Sequence, residues 1–260
     1  MVLLNPGKVE KYYKEKIESQ GAMLFSLIDP DKFSLEKGKA IAKSSYENGA
    51  DVILVGGTIG AQGKILDETV QMIKEGCGGL PVVLYPGNIS GISEYADAIY
   101  FMHMLNSRDI YWLSTAQIQA APVVARMHLE AIPTTYLIIE PGRAVGWVGN
   151  ANVVPRERSD LAAACALAAK YTGSHVLITD AGSGAPLPTP PDMISAISKT
   201  VGSDLLYFNA GGVRTAVQAA ECIAAGAHGI HVGNAFEEQV DARKIKEISA
   251  AVRKEGKKRV

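Results

Sequence analysis

Short apolar runs alternate along this chain with longer stretches whose apolar residues recur every three or four positions. The runs are AMLFSLID (Ala22 to Asp29), DVILV (Asp51 to Val55), PVVLY (Pro81 to Tyr85) and AIYFMH (Ala98 to His103), followed by TTYLII (Thr134 to Ile139), HVLITD (His175 to Asp180), LLYFN (Leu205 to Asn209) and GIHV (Gly229 to Val232). They are too apolar to be wetted on either face, the mark of parallel strands covered by helices. Eight such strands with interleaved helices predict an α/β fold: one (β/α)8 barrel of the TIM type over residues 1–260, not an open doubly wound sheet. One crossover is short. Only PGNISGISEYAD separates Tyr85 from Ala98, so the third helix is expected to be brief or replaced by a loop.

Composition narrows the function. A chain of 260 residues that is 47% hydrophobic can close one sizeable core. With a net charge of -1 it presents no broad basic field for a nucleic acid backbone. Cys77, Cys165 and Cys222 are too few and too scattered for a disulfide framework or a zinc site, and read as reduced thiols. The opening segment MVLLNPGKVEKYYKEKIESQ is too charged for a signal peptide, and no apolar run is long enough to span a membrane. A cytoplasmic protein is expected. The basic tail KEGKKRV reads as a solvated, frayed helix end, with transient contact to an anionic membrane surface as the lesser reading.

In a parallel barrel the chemistry gathers where the strands end, so the residues after each run carry the functional reading. Strand six ends in Asp180-Ala181-Gly182-Ser183-Gly184-Ala185, a turn whose bare backbone can aim several N–H groups at one anion. Strand seven ends in Asn209-Ala210-Gly211-Gly212-Val213-Arg214, which opens onto a helix over Thr215 to Ala225 whose N-terminus also favours an anion. Gly233-Asn234 after strand eight completes the arc. Three glycine turns on adjacent late strands point to a phosphate-bearing small molecule.

The first strand ends in Asp29-Pro30-Asp31-Lys32. Asp29, at the strand end, is expected to face the site, whereas Asp31 or Ser34 is expected to cap the next helix. One carboxylate with nearby hydroxyls suits Mg²⁺, which keeps much of its water and is commonly shared with substrate phosphates. Thr58, in the Gly56-Gly57-Thr58 turn, is the neighbouring oxygen.

These motifs resemble the geranylgeranylglyceryl phosphate synthases and their bacterial heptaprenylglyceryl phosphate relatives over nearly the whole chain. The resemblance rests on LIDPDK (Leu27 to Lys32), VGGT (Val55 to Thr58), PGN (Pro86 to Asn88), ADAIYFMHMLNSR (Ala96 to Arg108) and PTTYLIIEPG (Pro133 to Gly142), then AGSGAP, AGGVR and VGN. EPGRAVGWVG and the long N-terminus resemble the larger, second group of the family. The resemblance implies a Mg²⁺-dependent prenyltransferase of ether lipid synthesis. It would join a polyprenyl diphosphate to the 3-hydroxyl of sn-glycerol 1-phosphate and release pyrophosphate. It also implies Asp29 and Thr58 as the metal positions, Thr58 standing where the family usually has Ser. The glycerol phosphate pocket falls on Ile178, Thr179, Asp180, Ala181, Gly182, Ser183, Gly184, Gly211, Gly212, Gly233 and Asn234. Where the family has Tyr-Leu-Glu, this chain has Ile178-Thr179-Asp180, so the catalytic carboxylate is carried to Asp180, one methylene shorter. Family members form dimers and larger assemblies, and a homo-oligomer is expected.

For the prenyl tail, Trp112 and Tyr136 lead a set with Tyr100, Met102, Met104 and Ile138; each of these is also an ordinary core residue. A second reading is a phosphate-binding barrel isomerase or lyase acting on a small sugar phosphate. Schiff-base chemistry requires a lysine on an inner strand, and none of the eight runs contains one; isomerisation requires a base, for which His103 and His231 are available.

Overall fold

The computed structural model describes residues 5–237 and 241–260. Residues 1–4, the start of the segment read above as lacking a signal sequence, lie outside that range. The strands β1 (Met23–Ile28), β2 (Val52–Val55), β3 (Val82–Leu84), β4 (Ala98–Met104), β5 (Glu130–Ile138), β6 (Val176–Asp180), β7 (Leu206–Ala210) and β8 (Gly229–Val232) follow one another around a closed barrel. All eight pairings are parallel, and β8 closes on β1 through Met23↔Gly229 to Ser26↔Val232.

Alternation along each strand divides the core. Phe25, Leu54, Val83, Tyr100, Ile132, Ile178 and Phe208 point into the barrel. The intervening residues, among them Leu24, Leu137, Leu177 and Tyr207 on one side and Ile53, Val82 and Ile99 on the other, meet the helix layer. The helices are α1 (Lys8–Gln20), α2 (Leu35–Glu47), α3 (Gly63–Gly76), α4 (Ala116–Arg126), α5 (Arg143–Val148), α6 (Ser159–Tyr171), α7 (Pro191–Val201), α8 (Ala216–Ala224), α9 (Asn234–Glu237) and α10 (Ala242–Gly256). None is long and apolar enough to cross a membrane.

The crossover from β3 to β4 contains no helix; residues 85–97 run as turns and bends. Two expectations are corrected. First, β5 begins at Glu130, ahead of Thr134, because Glu130 is not loop surface: its carboxylate accepts the N–H groups of Val9 (2.7 Å) and Glu10 (2.9 Å) and so caps the start of α1. Helix α1 thereby seals the lower end of the barrel, with Tyr13 fully buried and edge-on to Phe25 and Phe208 at 5.4 and 5.8 Å. Second, the basic tail is not frayed, since Arg259 donates to the Ala227 carbonyl at 2.9 Å and Lys258 pairs with Glu255. With its lower end covered by α1, the barrel opens at the strand C-termini.

Candidate active site

One pocket fills that open end, lined on one side by Ser183, Gly184, Gly211, Gly212, Gly233 and Asn234 and on another by Asp29, Gly57 and Thr58. Its apolar wall comes from Tyr100, Met102, Met104, Trp112 and Tyr136.

The glycine side is stitched together by side chains. Ser183 donates to Asn234 Oδ1 at 2.9 Å, joining the β6 and β8 loops, and Arg214 donates to the Gly184 carbonyl at 3.1 Å, joining the β7 and β6 loops. Gly211 has φ +75°, and a Cβ there would run into the Asp180 carboxylate and the Ala181 and Gly182 nitrogens. Only glycine meets both demands. Gly211→Ala is therefore expected to lower the thermal midpoint and raise the KM for a phosphate-bearing substrate by about tenfold or more, by displacing loop N–H groups. An unchanged KM in steady-state kinetics would remove Gly211 from the anion site.

The α8 N-terminus does less than the sequence led us to expect. Thr215 Oγ1 accepts the Gln218 N–H, while Gln218 Oε1 accepts those of Arg214 (2.8 Å) and Thr215 (3.2 Å), a closed capping box. Those three donors are spent within the helix end.

Asp180 sits at the junction of the sides, buried at the end of β6. Its Oδ1 accepts the Gly182 N–H at 2.6 Å and its Oδ2 accepts the Tyr136 hydroxyl at 2.5 Å. Burial pushes its carboxyl above the usual range, against the pull of those two donors. The group therefore shapes the loop and also faces the pocket. Strand parity separates its neighbours: Ile178 faces the barrel interior, whereas Thr179 faces the helices, its hydroxyl hydrogen-bonded with the Tyr207 hydroxyl at 2.9 Å and 3.3 Å from Asn209 Oδ1. Ile178, Thr179, Ala181 and Gly182 thus do not line the pocket; their part is to hold the loop that does.

At the acidic side, Asp29 pairs with Lys32 at 3.0 Å. A Cβ on Gly57 would strike the Asp29 carboxylate, which places the Gly57-Thr58 turn directly against it. Burial, with the neighbouring Asp31 carboxyl, pushes the Asp29 carboxyl up to about 7, against the attraction of Lys32. Asp31 is not the helix cap; Ser34 is, accepting the Lys37 N–H, while Asp31 turns toward the strand-two loop, where a Cβ on Gly60 would meet it. One buried carboxyl, Asp29, with the exposed Asp31 carboxyl beside it and a hydroxyl-bearing turn against it, forms a donor set that fits Mg²⁺. Among the described residues no group of three or more His, Cys, Asp or Glu side chains gathers as a metal cage.

Trp112 lies on a single wide turn, Tyr111–Thr115, anchored by Gln117 Nε2 donating to the Met102 (2.7 Å) and Trp112 (3.2 Å) carbonyls. Ile138 is absent from the wall, being packed in the core. Val145 and Val148 of α5 line the pocket instead; their three-residue spacing on one helix face was the signal in the sequence.

The histidines divide as well. His103 lies outside the pocket, its Nε2 3.4 Å from the Thr135 hydroxyl. His231 points into the barrel and its burial pushes it down to about 3, so it is neutral at ordinary pH and a poor general base. No described strand carries a lysine. The isomerase reading thus finds neither histidine suited to act as its base, and the Schiff-base reading finds no lysine on a described strand. Depression of a buried histidine also has a sign for stability: the unfolded chain binds the proton more readily, so the contribution of neutral His231 is complete above about pH 6.5 and is lost as pH falls. The stability gained by His231→Phe over wild type is expected to grow below pH 6.5 by roughly 1.4 kcal/mol per unit, read by urea unfolding. A difference independent of pH would contradict this.

A closed parallel barrel with a glycine-loop anion grip, an acidic corner and an apolar wall in one pocket defines a phosphate-handling (β/α)8 enzyme. The pattern of the PcrB family matches residues 15–252. The chain is 44% identical over 247 residues to the geranylgeranylglyceryl phosphate synthase of Methanosarcina acetivorans, spanning 95% of this chain and 99% of that one. Against the same synthase of Thermococcus kodakarensis it is 46% identical over 245 residues, 94% and 96% of the two chains. The crystal structure of (S)-3-O-geranylgeranylglyceryl phosphate synthase from Thermoplasma acidophilum in complex with sn-glycerol-1-phosphate matches with a TM-score of 0.90 at 31% identity, covering 96% of this chain and 99% of that one. The chain belongs to the PcrB family of geranylgeranylglyceryl phosphate synthases.

Proposed function

We propose that this protein joins geranylgeranyl diphosphate to the 3-hydroxyl of sn-glycerol 1-phosphate, making the first ether bond of archaeal membrane lipids and releasing pyrophosphate. The observation that carries the reading is the placement of Asp180: one carboxylate bordered by the phosphate-gripping glycines on one side and, through Tyr136, by the apolar wall on the other. The loops hold the glycerol by its phosphate, which fixes the hydroxyl near the prenyl C1 and supplies much of the rate by positioning. Asp180, with its carboxyl raised by burial, orients that hydroxyl and accepts its proton as the C–O bond forms. Asp29 and Thr58 would hold Mg²⁺, which when bound neutralises charge on the departing diphosphate. Tyr100, Met102, Met104 and Trp112 shelter the polyprenyl tail and keep water from the allylic centre.

A cytoplasmic homo-oligomer is the proposed setting. Association of copies is supported by large apolar side chains left exposed on α5 and α4, where Trp147 is 84% and Ile118 71% exposed. The test is to incubate the protein with sn-glycerol 1-phosphate, Mg²⁺ and radiolabelled geranylgeranyl diphosphate. Label in a butanol-extractable phospholipid is expected, and folded protein that makes none would overturn the reading.

A further inference from the structure

His231 is 3% exposed, lines the pocket, and neither of its ring nitrogens has a hydrogen-bond partner among the described residues. Its surroundings explain why the protein satisfies neither. The ring is packed among Phe25 (4.7 Å between centroids), Phe208 (5.6 Å), Tyr85 (5.6 Å) and Tyr100, on which it stacks at 5.9 Å and 15°. A buried polar group without a partner costs stability, and in a pocket it marks a place where a ligand supplies the missing bond.

Register says which part of the ligand that is. On β8 the inward positions are Gly229, His231 and Gly233, so His231 lies one inward step, about 6.6 Å, below the glycine of the phosphate arc. His231 pairs with Ala210, and Ala210 pairs with Asp180, so the two side chains occupy one rung two strands apart, with roughly 10 Å between their backbones. A three-carbon glycerol hung from its phosphate descends between them. Its terminal hydroxyl falls to Asp180 under the proposed function, and one hydroxyl is left over.

We propose that His231 binds the 2-hydroxyl of glycerol phosphate, the hydroxyl that does not react. The chemistry selects an alcohol over an anion. Burial holds the imidazole neutral, with one nitrogen donating and the other accepting, and a hydroxyl both gives and takes a hydrogen bond. The contact also supplies a third point of attachment. Phosphate and reacting hydroxyl alone do not distinguish the two enantiomers of glycerol phosphate, whereas a third fixed contact at the chiral carbon does.

This inference rests on the proposed substrate, and its test separates the two. Steady-state kinetics compares sn-glycerol 1-phosphate with 3-hydroxypropyl phosphate, which keeps the phosphate and the reacting hydroxyl but lacks the 2-hydroxyl. Wild type is expected to prefer glycerol phosphate by about tenfold or more in kcat/KM, the effect of leaving a buried polar group unpaired. His231→Phe keeps the ring packing, and its preference is expected to fall toward one while turnover of the deoxy compound stays near that of wild type. Its thermal midpoint is expected to rise, the opposite of what a structural histidine shows. Wild type that does not discriminate, or a variant that retains the wild-type preference, would overturn the inference and leave the substrate reading standing. Wild type that turns over neither compound would overturn both.

Discussion

Asp180→Asn is expected to lower kcat by about 10²–10⁴-fold while leaving the KM for glycerol phosphate within about threefold. The structure gives the reason for the split. The substituted amide keeps an oxygen for the Gly182 N–H, so the loop retains its shape and its grip on phosphate. What the amide cannot do is accept a proton from the glycerol hydroxyl. Asp180→Ala is expected to behave differently, because the alanine loses both functions: the Gly182 N–H and the Tyr136 hydroxyl are left without acceptors in a buried setting, and phosphate affinity falls together with the rate. If both variants changed KM alone, Asp180 would be a loop residue and the proton acceptor would lie elsewhere.

Asp29→Asn is expected to reduce turnover by at least about 10²–10³-fold, the loss typical of removing a group that stabilises transition-state charge. The fold is expected to survive. Burial beside Asp31 makes the charged form of Asp29 costly in the native state, as its carboxyl held near 7 records, so the neutral amide should leave the thermal midpoint unchanged or higher. Binding gives an independent readout: Mn²⁺ titrated into wild type with inorganic pyrophosphate present is expected to bind, and to bind more weakly in the variant. A variant that is folded and fully active would remove Asp29 from the metal position.

The barrel was legible from its strands because each run is apolar on both faces, and GIHV (Gly229 to Val232) matches β8 residue for residue. The short third crossover was legible for a plainer reason, since the stretch between Tyr85 and Ala98 leaves little room for a helix. The glycine arc and Asp29 were picked out by position at the strand ends, which the topology fixes, whereas the role of Asp180 came from the family resemblance. Other features depend on contacts that pattern does not encode. Glu130 caps α1 across about 120 residues of chain, and no local signal announces that pairing. Gln218 takes up the N–H groups of Arg214 and Thr215, a side-chain contact that the position of α8 alone does not encode. Thr179 is the avoidable miss, because alternation from Asp180 already turns it toward the helices. His231 was offered as a base for the isomerase reading; its unpartnered nitrogens appear only when the surrounding rings are in place.

The central claim is that Asp180 stands where a phosphate-held glycerol meets an allylic diphosphate. The most direct measurement is a crystal structure with sn-glycerol 1-phosphate, Mg²⁺ and the unreactive thiolo analogue of geranylgeranyl diphosphate. The account predicts the glycerol phosphate on Gly211, Gly212 and Gly233, the diphosphate and metal against Asp29 and Thr58, and the 3-hydroxyl within about 2.6–3.2 Å of the Asp180 carboxylate. A diphosphate seated on the glycine loops, or a 3-hydroxyl turned away from Asp180, would contradict it.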